Sequence, residues 1–417
     1  MSEPRPVGSV LRPKPRKILS KANLFQAWDA SRDATSSPGS VGIDNQTAKQ
    51  FASNLDANLD EIRKRLNNGS FGFSRLRPFF AQKHGSTKER VICIPTVRDR
   101  IVQRAIVNYL ATSKILPIHN ASSFGFIKGQ GTSKAIEKAV ELRSMYEWCV
   151  KADIESFFDQ IPRPFLKERV AAALQNHSLT PLICSAVDCE IKGTNDEIAR
   201  AAAQGIKCGL GIRQGMPLSP LLANLTLSKF DRAVERRRIP MIRYADDLLL
   251  FFDTEAEAKA GQEFVEAQLK SIHLRLSSTK TVVFGPGQNV PFLGLEIAFY
   301  DRLSKYVARI SRRQIRKIQD RIESAYSYSE VAKAPNTLGE VTVRLSRSIS
   351  AYLGVYRNAH NYPALLAELE QTMRVVLINL YSDIFGVQAC EELDERARLF
   401  LGMGTVTMPS AARDLDW

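Results

Sequence analysis

Cysteine and histidine are sparse in this chain, and neither is arranged for chemistry. The six cysteines, Cys93, Cys149, Cys184, Cys189, Cys208 and Cys390, are scattered with no CxxC pair, which argues against structural zinc and, in a chain of 417 residues, against a disulfide framework. The five histidines, His84, His119, His177, His273 and His360, show neither metal-ligand spacing nor a nucleophile partner, so a zinc hydrolase or a Cys/His hydrolase has little support. No apolar run is long enough to span a bilayer, and the N-terminus lacks the apolar region of a signal peptide. A cytoplasmic protein with no membrane partner is therefore expected. Internal repeats and low-complexity segments are also lacking.

What is present is positive charge and ample apolar residue. Hydrophobic residues make up 44% of the chain, enough for two or three packed units, and the formal net charge is +14. Such a balance suits a partner made of phosphates, because lysine and arginine contacts release condensed counterions; an anionic membrane would attract it too. Residues 1–21 form a basic tail in which Pro4, Pro6, Pro13 and Pro15 alternate with Arg5, Arg12, Lys14, Arg16 and Lys17, too polar and proline-broken to fold alone. From Leu24 a helical pattern begins, and strands alternate with helices to about residue 300.

Three segments carry candidate chemistry. Ile242-Arg243-Tyr244-Ala245-Asp246-Asp247-Leu248-Leu249-Leu250-Phe251-Phe252 sets two adjacent carboxylates between apolar runs, the pattern of a β-hairpin with acid at its tip. Asp is an ordinary turn residue, so by itself such a pair is more often structural than catalytic. Trp148-Cys149-Val150-Lys151-Ala152-Asp153 reads as a buried strand that delivers Asp153 at its end; the plainer alternative is that Asp153 caps the next turn, with Glu155 and Asp159 solvated. In Gly211-Ile212-Arg213-Gln214-Gly215-Met216-Pro217-Leu218-Ser219-Pro220, a serine before a proline reads as a helix start with Ser219 as N-cap. Leu221, Leu222, Leu225, Phe230 and Val234 then form a core-facing stripe. Gln214-Gly215 offers an amide and an unhindered backbone for a base or phosphate, or is an ordinary loop.

In order, the strand ending at Asp153, the Gln214-Gly215 segment and the Asp246-Asp247 hairpin resemble motifs A, B and C of the reverse transcriptase palm, in the form of the bacterial group II intron-like branch. Arg90-Val91-Ile92-Cys93-Ile94-Pro95-Thr96-Val97-Arg98-Asp99-Arg100-Ile101-Val102-Gln103-Arg104-Ala105 resembles its fingers motif, Ser122-Ser123-Phe124-Gly125-Phe126 continues it, and Gly42-Ile43-Asp44 resembles its N-terminal extension. Leu276-Ser277-Ser278-Thr279-Lys280-Thr281 resembles motif D and Phe292-Leu293-Gly294-Leu295-Glu296 motif E, so the similarity covers most of residues 22–300.

The resemblance implies an α+β right-hand polymerase fold: fingers, a palm of antiparallel sheet plus helices, and a helical thumb. It places an N-terminal extension and fingers at 22–145, the palm at 146–300, and an α-helical thumb with C-terminal helices at 301–417. It implies an RNA-directed DNA polymerase with Asp153, Asp246 and Asp247 as catalytic acids, these and Ile154 holding two Mg²⁺ ions, with Mn²⁺ as an alternative. Hard divalent ions take oxygen ligands, and a pair about 3.5–4 Å apart clamps the attacking and leaving oxygens of phosphoryl transfer. Phe158 matches the steric gate that excludes a 2′-OH, although beside Phe157 it is most simply core. Lys83 and Arg90 match the basic residues that grip the triphosphate, with Gln214 beside the nucleotide. Lys280 matches a lysine proposed to protonate pyrophosphate, and Gly215 and Tyr244 would touch nucleic acid.

Past Leu295, Ile310, Ile315, Ile318, Ile322 and Tyr326 fall near helical spacing, with Arg312, Arg313, Arg316, Lys317 and Arg321 on the other faces. A basic face is more often merely solvated, yet after a palm it is placed to track a primer–template duplex by its shape and backbone. Further helices are expected around 338–357 and 363–385. The chain ends roughly 120 residues after motif E without a Cys/His-rich nuclease domain, and lacks the Val-Thr-Gly triplet of retron enzymes. Its Gln-Gly-x-Pro-x-Ser-Pro segment departs from the form typical of diversity-generating retroelements. By elimination it resembles the stand-alone bacterial reverse transcriptases of the "unknown group", many of which resemble antiphage defence enzymes. The implied partners are a noncoding RNA template, a primer, the cDNA product and dNTPs, with oligomeric state open. Rival readings are a maturase-like RNA-binding protein without essential chemistry and an RNA-synthesising palm polymerase.

Overall fold

Helix starts are written into this sequence as hydroxyls. Thr194, Thr254 and Thr337 each accept from the backbone N–H three residues on, where Glu197, Glu257 and Glu340 reach back to the cap N–H, so each pair satisfies two backbone donors that a helix leaves unmatched. Ser20 and Ser311 cap two further helices by side chain alone. This is a computed structural model, and it describes residues 19–31, 41–82, 89–113, 115–175 and 177–401. The basic tail lies, up to residue 18, outside the described residues, as does Lys83.

The principal helices are α1 (Lys21–Asp29), α2 (Leu55–Asn67), α3 (Val97–Ser113), α4 (Thr132–Met145), α5 (Phe157–Gln160), α6 (Arg163–Leu174), α7 (Thr180–Val187), α8 (Asn195–Ala203), α9 (Ser219–Arg236), α10 (Glu255–Lys270), α11 (Arg312–Ala325), α12 (Leu338–Tyr356) and α13 (Tyr362–Phe385). The strands are β1 (Arg77–Gln82), β2 (Glu89–Ile94), β3 (Trp148–Asp153), β4 (Met241–Tyr244), β5 (Asp247–Phe252), β6 (Val282–Phe284), β7 (Val290–Phe292), β8 (Leu295–Tyr300) and β9 (Lys305–Arg309).

Two compact units emerge, one from residues up to 131 together with 150–283, the other from 132–149 together with residues from 284 onward. In the first, β1 and β2 pair as an antiparallel hairpin, and a four-stranded sheet runs in the order β4-β5-β3-β6. In the second, β7, β8 and β9 form an antiparallel sheet. These borders differ from the motif-based ones at 145 and 300. The reason is α4, whose buried Arg143 donates to the carbonyls of Glu147 and Gly285 and lies 5.1 Å from the Tyr306 ring centroid, tying the helix to the second unit. In that unit Ile315, Ile318 and Ile322 bury one stripe of α11, while Val341 of α12 and Leu380 of α13 share a cluster with Val331. The boundaries of these helices agree with the spacing of their apolar residues.

Helix α9 organises the first unit. The expected stripe of Leu221, Leu222, Leu225, Phe230 and Val234 is buried, but so are Asn224, Thr226, Ser228 and Asp231, which an amphipathic reading would expose. Ser219 is the first helical residue rather than its cap: its hydroxyl donates to the Arg213 carbonyl at 2.7 Å, so it closes the preceding loop. Asp231 faces Arg243 of β4, with Nε and Nη2 donating to the two carboxylate oxygens at 2.7 and 2.6 Å and both side chains 0% exposed. Arg243 Nη1 donates to Asn224 Oδ1 at 2.9 Å, and Asn120 Nδ2 to Asp231 at 2.9 Å. Planar guanidinium and carboxylate meet in bidentate geometry, so the pair fixes an angle as well as a distance.

Removing one partner strands a buried charge, so Asp231→Ala should lower unfolding free energy by about 3–5 kcal/mol in denaturant titration. The double variant Asp231→Leu, Arg243→Met should regain most of that loss, because apolar isosteres also relieve the desolvation of both ions.

Candidate active site

A hairpin presents acid only if its turn closes tightly, and here it closes in two residues. Tyr244 pairs with Asp247 across the β4–β5 ladder, leaving Ala245 and Asp246 as the turn. Ala245 sits at φ +59, a left-handed conformation that costs a non-glycine residue of order 1 kcal/mol and persists only where neighbours impose it. The neighbours are identifiable. Arg243 Nη1 donates to the Ala245 carbonyl at 3.2 Å, and the segment Ser122–Phe124 runs beside β4, with Arg243 N donating to Ser122 O at 2.7 Å and Phe124 N to Arg243 O at 2.9 Å. Gly125 then lies so close that a Cβ there would stand 2.5 Å from Ala245 N, and its carbonyl accepts from Asn224 Nδ2 at 2.9 Å.

The tip meets the end of β3, since Ile154 N donates to the Asp246 carbonyl at 3.0 Å. Ser277 N donates to the Asp153 carbonyl at 2.7 Å, which brings the Leu276–Thr281 segment alongside. Asp153, Asp246 and Asp247 thus converge, as their electrostatics register. Burial raises the Asp246 pKa, and Asp153 adds to the rise against Lys280 and Arg90. Burial pushes Asp247 up to about 6, opposed by Lys151 and Lys280 and reinforced by Asp153 and Asp246.

Lys280 sits over Asp153, its Nζ 2.9 and 3.0 Å from the two carboxylate oxygens. Asp247 Oδ1 is buried without a hydrogen-bond partner, its nearest cation Lys151 Nζ at 3.8 Å. Oxygen donors crowded against one another, one of them unmatched and one held by an ammonium, fit a hard divalent cation. They do not stand in a finished cage: among the described residues no three Asp, Glu, His or Cys side chains are gathered as ion ligands, and Lys280 and Lys151 each lie against a carboxylate. Ile154 contributes its N–H to Asp246, as above.

Asp246 also lines a cavity of about 840 Å³ with Arg90, Phe158, Gln214 and Gly215, a volume in the range of small-molecule sites. Phe158 is half-buried on α5, edge-on to Phe157 with centroids 5.5 Å apart. Gly215, at φ +105, is required by backbone conformation and packing: a Cβ would stand 2.6 Å from the Cys93 carbonyl of β2. The Gln214 carbonyl accepts from Cys93 N at 2.6 Å, so this loop is laid against β2. Tyr244 packs its ring 6.4 Å from that of Phe126. Arg312, Arg313, Arg316 and Lys317 are exposed on α11 and Arg321 is half-buried there, all in the second unit.

Several residues here carried no signal strong enough to assign from sequence. Arg100 and Arg104, one turn apart on α3, line the same cavity, and Arg104 Nε is buried without a hydrogen-bond partner. Their spacing in Arg100-Ile101-Val102-Gln103-Arg104 was the available clue. Asp159, solvated on the plainer alternative for its segment, is half-buried; burial raises it to about 6, against Arg213. Glu190 is the anchor of the Gln214 loop: its carboxylate takes Arg163 Nη1 and Arg213 Nη2 at 2.6 Å each and Gly209 N at 2.8 Å.

Residues 81–297 match the family model described as Reverse transcriptase (RNA-dependent DNA polymerase), more than half of the chain. The chain belongs to the reverse transcriptase family. It is 26% identical over 311 residues to Protein YkfC of Escherichia coli K12, covering 64% of this chain and 78% of that protein. It is 26% identical over 237 residues to the group II intron-encoded protein LtrA of Lactococcus lactis subsp. cremoris, covering 56% of this chain and only 36% of that protein. It is 35% identical over 89 residues to the Retron Ec86 reverse transcriptase of Escherichia coli, covering 20% of this chain and 28% of that protein. The fold is accordingly the right-hand polymerase fold, its antiparallel sheet carrying the acidic hairpin. No described helix is long and apolar enough to cross a membrane.

Glu190 makes the loop's tether pH-dependent. Burial alone would raise its pKa, but hydrogen bonds from Arg213, Gly209 and Arg163 outweigh it and bring the value down to about 2. A depressed carboxylate stabilises the fold above its unfolded pKa and loses that contribution as pH falls through the folded value. Because the carboxylate is partly open to solvent, which screens its ion pairs, Glu190→Gln should be less stable than the unmodified protein at neutral pH by about 1–2 kcal/mol, and the gap should close between about pH 4.5 and 2 in unfolding titrations.

Proposed function

We propose that the chain copies RNA into DNA, with Asp153, Asp246 and Asp247 as the catalytic acids. The convergence of these three carboxylates, from β3 and the β4–β5 turn, beside a cavity of nucleotide size carries the reading. Two divalent cations held by the three aspartates, with Ile154 behind them, would ready a primer 3′-hydroxyl for attack and neutralise charge on the α-phosphate. Magnesium suits the all-oxygen set, with manganese as the substitute.

The chain's own residues do the rest. Arg90 lines the same cavity as Asp246 and offers a guanidinium fork to the triphosphate; Lys83, matched by motif position alone, is its proposed companion. Gln214 and Gly215 shape the wall where the nucleotide lies. Phe158 puts a ring under the sugar, where a 2′-hydroxyl would collide. Lys280, charged and exposed above Asp153, holds a proton at Nζ within reach of the leaving pyrophosphate. Tyr244 and the α11 cations Arg312, Arg313, Arg316, Lys317 and Arg321 meet the nucleic-acid backbone. In this reading the first unit holds fingers and palm and the second the thumb.

The template, on this proposal, is a dedicated noncoding RNA, and the cDNA serves antiphage defence in the cytoplasm. The support is the likeness to stand-alone bacterial enzymes and the +14 charge. Sequencing RNA and new DNA that copurify should give one discrete species; a random sample of cellular transcripts would remove the dedicated template.

Primer extension on an RNA template with Mg²⁺ tests the chemistry. Asp246→Asn should abolish synthesis while leaving RNA affinity and unfolding midpoint near those of the unmodified protein, since it removes a charge at nearly constant shape. Failure of the unmodified protein to extend any primer would favour a maturase-like binding role. Phe158→Ala should narrow the preference for dNTPs over rNTPs by tenfold or more, about 1.4 kcal/mol; an unchanged ratio would remove the gate.

A further inference from the structure

A second cleft, of about 420 Å³, opens near the far end of α9 from the catalytic cavity. Pro220 lines the first cavity; Lys229 and Arg236 line the second, about 14 and 24 Å further along the helix axis at 1.5 Å per residue. Lys229, Arg232 and Arg236 are exposed and share a stripe of α9, spread over about 10 Å of axis. Gln268 and Ser271, at the end of α10, line the same space; the Gln268 amide is the neutral donor there, since Ser271 Oγ donates to the Gln268 carbonyl at 2.6 Å.

No acidic residue lines this cleft, and among the described residues none of its cations is paired with a carboxylate. Acids nearby on the same helices are engaged elsewhere: Glu235 accepts from Ala121 N at 3.1 Å, and Glu266 pairs with Lys270 at 3.0 Å. Arg169 of α6 does not line the cleft but adds positive charge close to Arg232. Its Nη2 donates to Ser228 Oγ at 2.9 Å, its Nε is buried without a hydrogen-bond partner, and Arg232 is near enough to oppose its charge. The α9 macrodipole would favour a cation in the last turn, which accounts for Arg236 but not for Lys229, Arg232 or Arg169. Like charges gathered along one exposed stripe without counterions are a surface completed by an anion. Their extension along a line favours a polyanion over a single phosphate.

We propose that this cleft is a second nucleic-acid site, which takes the phosphodiester backbone of a folded RNA outside the duplex being copied. The inference rests on the reading of the protein as an enzyme that works on RNA. The site would hold the template RNA to the enzyme through contacts that carry no sequence information, because lysine and arginine on phosphates position without reading bases.

The test compares the full-length protein with the triple variant Lys229→Gln, Arg232→Gln, Arg236→Gln. The probe is a labelled RNA hairpin without a primer, titrated at several salt concentrations. Loss of three phosphate contacts should make the slope of log K against log salt shallower by about 2–3. Extension of a short pre-annealed primer–template should stay within twofold, and the charge-keeping triple variant Lys229→Arg, Arg232→Lys, Arg236→Lys should retain the original slope. An unchanged slope in the neutral variant overturns the proposal, as does a parallel fall in extension of the short duplex, which would assign these cations to the copying track. Displacement of the hairpin by inorganic tripolyphosphate as effectively as by unlabelled hairpin overturns it in favour of a small anion. Should the neutral variant lose cooperative unfolding, Lys229→Glu at its exposed position carries the same test, with a slope change of about 1–2 expected. Hairpin binding is read without nucleotides, so a protein that makes no DNA fails the catalytic reading while this difference is still measured.

Discussion

A two-residue turn with a left-handed alanine keeps its place only if its surroundings hold it, and in this protein the buried Arg243–Asp231 pair anchors the strand that leads into it. It joins β4 to α9 through two hydrogen bonds, and the remaining guanidinium nitrogen reaches both Asn224 and the carbonyl of Ala245. A pair of this kind contributes little net stability relative to apolar isosteres, since desolvation offsets attraction. Its value is directional. Apolar side chains at the same places would pack, but would not hold the Ala245 carbonyl or the Asn224 amide in place.

A second anchor works on the opposite wall. Glu190 collects Arg163, Arg213 and a backbone N–H, and through Arg213 it holds the carbonyls of Leu210 and Lys207. The Gln214 loop between this anchor and β2 is thereby held at both ends. Charge is handled in the same spirit around the clustered aspartates, where Lys280 opposes the rise that burial brings to Asp246 and Asp247, and Lys151 opposes it at Asp247.

Much of this was legible in the sequence because the signals are local. The strand ending in Asp153, the hairpin with Asp246 and Asp247 at its turn, and the apolar stripes of α9 and α11 follow from periodicities of two and 3.6 residues. The polar core of α9 did not follow, because Asn224 and Asp231 look like surface residues until their partner is known. The clue was Arg243, one cation within an otherwise apolar strand, which demands a buried anion from elsewhere in the chain. Glu190 stayed illegible for the same reason: its partners lie 19 to 27 residues away along the chain. The role of Ser219 was misjudged because a serine before proline caps helices in general, whereas here the Arg213 carbonyl claims the hydroxyl. The border at residue 145 followed motif order, which says nothing of where Arg143 finds its acceptors.

The close approach of Gly125 to the hairpin tip has an evolutionary corollary. A methyl group at that position would have to displace Ala245 and, with it, the ladder that Ser122–Phe124 forms along β4. Two stretches of chain more than a hundred residues apart are therefore locked into joint variation: drift in either is tolerated only when the other moves in step, so this seam should be among the slowest parts of the molecule to diverge.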